Sequence, residues 1–209
     1  TGTYPSNVAI GDLDGDGKND LVVNSSSTVS VFRNTSISGS IMYAPKVDIT
    51  TGYLQQFVAI GDIDGDGKPD LVATDGNLSV VSIFRNTSAT DALRFAPKVN
   101  FAPGLGPQSV AIGDLDGDGK PDLAVANTGG ANVSVLKNTS TPGIIAFASK
   151  VDFTTGMYPM NVAIGDIDGD GKPDLAITTG SNSVSVLRNI SASGSLTFVP
   201  KIDITAGSG

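Results

Sequence analysis

Short apolar runs separated by glycine-rich polar loops fill this chain. VAIGD at 8–12 and DLVV at 20–23 are apolar on consecutive positions, whereas TVSVF at 28–32 alternates polar and apolar residues. A short continuous run marks a strand covered on both faces, and strict alternation marks a strand with one face in the core. Read this way, one stretch yields four strands in succession: FVAIGD at 57–62, DLVAT at 70–74, SVVSIFRN at 79–86 and LRFAPKVNF at 93–101. The third of these alternates elsewhere as NVSVL and SVSVL. The fourth carries Pro45, Pro97 and Pro200 beside Lys46, Lys98 and Lys201, with Ser149 in place of proline before Lys150. Proline and lysine blunt a free sheet edge against stray pairing, which places this strand outermost.

The pattern recurs around one motif. GDLDGDGKND at 11–20 returns at 61–70, 113–122 and 165–174, with periods of 50, 52 and 52 residues. A fixed period of this size marks units that bury their apolar faces only against their neighbours. Four four-stranded units of this length predict an all-β chain: a β-propeller of four antiparallel blades, either a complete ring or part of a larger one. The blades are expected at about 1–52, 53–104, 105–156 and 157–209.

Composition changes the picture in one respect. The chain has 209 residues and a net charge of −8, and all 21 acidic residues are Asp, 16 of them inside the four motifs. That balance argues against affinity for nucleic acid or for an anionic membrane surface, and no apolar run is long enough to insert into a bilayer. Four divalent cations, at +2 each, would cancel the −8. Cysteine is absent, which excludes a disulfide framework. Thr1 opens the chain without an initiator Met or a charged-then-apolar leader, and the sequence reads as a processed product, an excised piece or part of a longer chain.

The motif itself is suited to a metal. Asp12, Asp14, Asp16 and Asp20 fall at positions 1, 3, 5 and 9 of a loop, with Gly15 and Gly17 at positions 4 and 6. Alternate aspartates on a curling backbone aim at one centre, and glycine allows the positive φ that a tight wrap needs. Hard oxygens at this density fit Ca²⁺, which accepts roughly 6–8 of them, better than Mg²⁺, which keeps several waters. Lys18 at position 7 would offer its carbonyl while its ammonium pointed to solvent. An EF-hand begins similarly but needs a bidentate Glu at position 12, where this chain has Val23, Ala73, Val125 and Ile177. The loop therefore joins two strands. The alternative, an Asp/Gly turn without metal, leaves four carboxylates repelling one another.

VAIGDLDGDGKNDLVV and its three copies resemble the FG-GAP or VCBS repeats of integrin α-subunit propellers and of bacterial secreted and surface proteins. Carried over by position, the resemblance implies one structural calcium per loop, four per chain, held by Asp12, Asp14, Asp16, Lys18 and Asp20 in the first. The equivalents are Asp62, Asp64, Asp66, Lys68 and Asp70; Asp114, Asp116, Asp118, Lys120 and Asp122; and Asp166, Asp168, Asp170, Lys172 and Asp174. The integrin GAP tripeptide is missing, which favours the bacterial type, and four blades is fewer than the family's usual seven or eight.

Two further repeated features read as structural. RNTS, RNTS, KNTS and RNIS, around Asn34, Asn86, Asn138 and Asn189, are formally glycosylation acceptors, as are Asn24, Asn77 and Asn132, but Asn and Ser are also ordinary turn formers, and that reading is preferred. The pairs Lys46 with Asp48, Lys150 with Asp152 and Lys201 with Asp203 share one face of the outer strand and read as a solvated ion-pair ladder. With no His, Cys or Glu, a general base would have to come from Asp, Lys or Tyr, and only Asp48, Asp75, Asp91, Asp152 and Asp203 lie outside the loops. The chain thus reads as non-catalytic. The resemblance implies a calcium-stabilised extracellular or cell-surface module for adhesion to a surface protein or glycan. The alternatives are a structural subunit of an extracellular layer or filament, and a carbohydrate-binding propeller accessory to a secreted polysaccharide-degrading enzyme. Self-association or further blades would complete the ring. A partner is expected on the end away from the metal loops, where Tyr53, Leu54, Leu105, Tyr158 and Met160 are the apolar candidates.

Overall fold

A computed structural model describes residues 4–51 and 55–207. Among them there are sixteen strands and no helix, and hence no helix long and apolar enough to cross a membrane. The first sheet comprises β1 (Asn7–Gly11), β2 (Asp20–Ser25), β3 (Thr28–Phe32) and β4 (Val47–Thr50). The second is β5 (Gln55–Gly61), β6 (Asp70–Asp75), β7 (Val80–Phe84) and β8 (Val99–Phe101). The third is β9 (Pro107–Gly113), β10 (Asp122–Asn127), β11 (Asn132–Leu136) and β12 (Val151–Thr154), and the fourth β13 (Pro159–Gly165), β14 (Asp174–Thr179), β15 (Ser183–Leu187) and β16 (Ile202–Thr205). Each is an antiparallel meander whose strands neighbour one another in chain order.

The second strand of each blade explains the packing. β6 and β10 are buried at every position, as a short run covered on both faces must be. Their alternate residues face different neighbours. Leu71 and Ala73 join Leu13, Val22, Val29 and Val31 of the first blade in one apolar cluster. Val72, with Ile63, Val81 and Ile83, joins Val110, Leu123 and Val125 of the third blade in the next. A third cluster sets Leu115, Val133 and Val135 against Val162, Leu175 and Ile177. The core is thus three inter-blade layers rather than one centre. The innermost strands pack in sequence, β1 on β5, β5 on β9 and β9 on β13, and no comparable packing returns from β13 to β1 among the described residues. The arrangement is a four-bladed, propeller-like array that is not closed.

The fourth strands are the sheet edges, as the proline and lysine pattern predicts. They are shorter than the apolar run: of LRFAPKVNF only Val99–Phe101 is strand. The third strand likewise ends at Phe84, before Arg85 and Asn86. The segment between folds as a small hairpin closed by the bridges Asn86↔Phe95 and Ala89↔Ala92. The third blade, which has Ser149 in place of the proline, likewise resumes pairing only at Val151 after the same hairpin, so the inserted hairpin rather than the proline sets where the outer strand begins.

Candidate metal centres

The register Gly11↔Asp20 closes a loop between the first two strands, and the loop's own backbone organises the carboxylates. Asp12 accepts from the N–H of Gly15 at 2.8 Å and, through its other oxygen, from Gly17 at 2.9 Å. Gly15 and Gly17 adopt φ of +74° and +83°, and their equivalents lie between +72° and +87°, a region that a side chain would disfavour. Asp14 accepts from the N–H of Asp16 and Asp16 from that of Lys18, so each carboxylate is turned by the residue two places on. The remaining copies repeat these bonds.

Asp20 is fully buried, and both its oxygens take backbone N–H groups, from Leu13 at 3.0 Å and from Asn34 at 2.8 Å. It is therefore the clasp of the loop as well as a candidate ligand. Burial raises its pKa, backbone bonds from Asn34 and Leu13 oppose the rise, and the neighbouring Asp14 and Asp16 add to it. The same balance pushes Asp70 and Asp122 up to about 6. Carboxylates held this close and this dry are stabilised as anions by a cation among them.

One oxygen from each of Asp12, Asp14 and Asp20 falls within 4.8 Å of the others. The corresponding sets are Asp62, Asp64 and Asp66; Asp114, Asp116 and Asp122; and Asp166, Asp168 and Asp174. Each loop thus gathers three of its four carboxylates, and the donor set is all hard oxygen, which fits a divalent cation of the calcium type. Asp16, Asp118 and Asp170 stand outside the triads of their loops, as does Asp70 in the second, and the carbonyls of Lys18, Lys68, Lys120 and Lys172 remain candidate ligands by position.

Several participants are not signalled by the loop sequence. The cation ending each third strand pairs with a loop carboxylate: Arg33 with Asp14 at 3.9 Å, Arg85 with Asp66 at 3.8 Å, Lys137 with Asp116 at 2.5 Å and Arg188 with Asp168 at 3.6 Å. Asp91 reaches across from the second blade to the first, where its N–H meets Asp14 at 3.1 Å and its carboxylate forms a triad with Asp14 and Asp16. The lysine ammonium groups are a correction: those of Lys68, Lys120 and Lys172 do not point to solvent but donate to the carbonyls of Ser88, Ser140 and Ser191 at 2.8–2.9 Å. A flexible ammonium satisfies a hairpin carbonyl that would otherwise lie half-buried without a donor.

The asparagine turns prove to be joints between blades. Asn86 accepts from the N–H of Ser88 at 2.8 Å, the expected turn, while its amide donates to Pro69 O and, in the preceding blade, to Leu13 O, both at 2.8 Å. Asn138 binds Ile63 O and Asn189 binds Leu115 O in the same way. All three are buried and fully engaged. The Lys–Asp pairs form, each lysine standing just before β4, β12 or β16 and its Asp within the strand, and each Asp also accepts from a buried serine of the adjacent strand, Ser30, Ser134 or Ser185, at 2.6 Å.

Since these loops join the first and second strands, the second-to-third turns and the blade connections lie at the other end. There Tyr4, Leu105, Met157, Tyr158 and Met160 are exposed. Tyr4 and Tyr158 have φ of +56° and +53°, a costly region for a bulky residue. Tyr53 and Leu54 lie outside the described residues.

The model of the FG-GAP-like repeat matches residues 12–73, 62–125, 114–177 and 166–209. No curated protein matches the chain significantly. Similar solved structures include a functionally unknown protein from Desulfotomaculum acetoxidans, 20% identical, with TM-score 0.66 over 98% of this chain and 58% of that one. BBS1N in complex with ARL6DN is 16% identical, with TM-score 0.60 over 92% of this chain and 52% of that one. Rhamnogalacturonan lyase YesW is 19% identical, with TM-score 0.52 over 86% of this chain and 40% of that one. The chain thus spans little more than half the length of the first of these structures, and the likeness is one of fold.

Proposed function

The chain belongs to the FG-GAP-like repeat family, and from that premise we propose that it is a calcium-stabilised, non-catalytic module for binding at the cell surface or outside the cell. What carries this reading is the contrast between its two ends. At one, four near-identical loops each converge three carboxylates on a common point. At the other, the second-to-third turns differ from copy to copy, reading SSST, TDGN, ANTGGAN and TTGSN, and Tyr4 and Tyr158 stand exposed on a left-handed backbone. Repetition at the metal end fits a structural ion, and variation on a rigid frame fits recognition of a surface protein or glycan.

Calcium would be held by the aspartates of each motif together with the carbonyl of the lysine at position 7, replacing mutual repulsion by attraction to one charge. An extracellular setting supplies calcium at the level that weak, exposed sites require. A catalytic role has little support, because the chain has no His, Cys or Glu and most of its aspartates are tied into the loops.

Metal-depleted protein is titrated with CaCl2 while melting is followed. The expected result is a marked rise in Tm as the four loops fill, since an ion bound only by the folded state stabilises it by linkage. An unchanged Tm in calcium and in chelator overturns the structural-ion reading. For the binding end, the double variant Tyr4→Ser/Tyr158→Ser is compared with the parent on a panel of immobilised surface proteins and polysaccharides. Loss of adhesion at unchanged Tm supports the assignment, and retained adhesion refutes it.

A further inference from the structure

We propose that this chain binds a second copy of itself head to tail, the first blade of one against the fourth blade of the other, through the junction that already joins its own blades. That junction is built three times from the same parts. An inner-strand isoleucine lies over a glycine of the preceding blade, so that a Cβ on Gly11, Gly61 or Gly113 would meet Ile60, Ile112 or Ile164 at 3.1–3.2 Å. An inner-strand valine, Val58, Val110 or Val162, is 2–5% exposed beside it. The apolar residue of the metal loop, Leu13, Ile63 or Leu115, is 1% exposed beneath the next blade, and its carbonyl receives that blade's asparagine amide at 2.8 Å.

Each part has an unmatched half at one end of the array. On the first blade, Val8 is 54% and Ile10 63% exposed, and the amide of Asn34 donates to Asn19 O within its own blade. On the fourth, Ile167 is 56% exposed where its three counterparts are buried, and a Cβ on Gly165 would meet nothing within 4 Å. The side chain of Asp168 is 38% exposed, against 0% for Asp14 and Asp116, which the following blade covers. The first blade therefore carries the knobs and the donor, and the fourth carries the socket and the acceptor. They are the two halves of one junction.

The occupant that fits the fourth blade is thus the first blade of another copy, continuing an interface whose chemistry is fixed by the three inside the chain. Such a contact is heterologous: it closes when two copies satisfy each other twice and otherwise propagates. Two copies would make an eight-bladed ring, within the range of roughly four to eight blades that propellers adopt.

Sedimentation velocity on the 209-residue chain in CaCl2 is expected to give twice the chain mass. Val8→Asp/Ile10→Asp disables only the leading face. Gly165→Leu disables only the trailing face by filling the socket, and it adds apolar surface, so indiscriminate hydrophobic clustering would increase. Each variant alone is expected to sediment as a monomer, and an equimolar mixture as a one-to-one complex, because one intact junction remains between the two kinds of chain. Circular dichroism of each variant confirms the folded state. Species larger than a dimer that both variants abolish support the same junction with open rather than closed growth. A parent chain that stays monomeric at all concentrations overturns the proposal, as does either variant self-associating alone or a mixture that remains monomeric.

Discussion

Asn138→Ala isolates the joint between the second and third blades. Asn138 is 1% exposed and makes three bonds at 2.8 Å, donating to Ile63 O and Pro121 O and accepting from the N–H of Ser140. Truncation leaves two carbonyls and one N–H without their partner in a dry layer. A hydrogen bond contributes about 1 kcal/mol net, and an orphaned buried group costs about 1–3 kcal/mol, so the loss should be on the order of 3 kcal/mol. Asn34 is the internal control. It occupies the same position in the first blade, keeps its bonds to Asn19 O and from the N–H of Ser36, and is only half-buried, so Asn34→Ala should cost roughly 1 kcal/mol. Urea unfolding in saturating calcium measures both: the midpoint should fall much further for Asn138→Ala with the slope unchanged. Equal losses for the two variants would refute the inter-blade account, leaving the asparagine as a turn former and nothing more.

The buried clasp carboxylates give stability a pH dependence that calcium should reverse. With Asp70 and Asp122 at about 6 when folded and near 3.8 when unfolded, the folded state holds more protons between these values, so in chelator Tm should fall as pH rises from about 4 to about 6 and then level off. In saturating calcium, which needs those groups ionised, Tm should instead rise over the same interval; parallel profiles would count against metal at the clasp. Ser134→Ala should destabilise by about 1 kcal/mol more than Ser30→Ala in thermal melts. Both hydroxyls donate to an outer-strand Asp at 2.6 Å, but that of Ser134 also accepts from the amide of Asn127 at 2.7 Å.

The repeat was the legible part. Its period, its short apolar runs and its Asp/Gly loops determine the sheets, the edge strands and the position of the carboxylate clusters, because each depends on neighbours close in sequence. What escaped sequence reasoning depends on the next blade. Asn86 and Leu13 are 73 residues apart, and nothing in RNTS distinguishes a turn asparagine from one whose amide also crosses an interface. Asp91 stands where the third and fourth blades have Gly143 and Gly194, so the repeat assigns no ligand to that position, although its carboxylate lies within 4.8 Å of those of Asp14 and Asp16. The apolar run overstates the fourth strand because Leu93 and Phe95 are apolar for another reason: from within a hairpin they pack against the layer between the first and second blades.

Uniform junctions also carry a liability. Since Ile60, Ile112 and Ile164 meet equivalent glycines and Asn86, Asn138 and Asn189 meet equivalent carbonyls, a blade carries no address stating which neighbour is its own. Order in the array is kept by tethering: only the few residues between Thr154 and Pro159, and their counterparts, hold the correct face at high local concentration. During refolding in a crowded solution a foreign blade competes on equal terms, differing only in being untethered, so fidelity of assembly rests on dilution and connector length rather than on recognition.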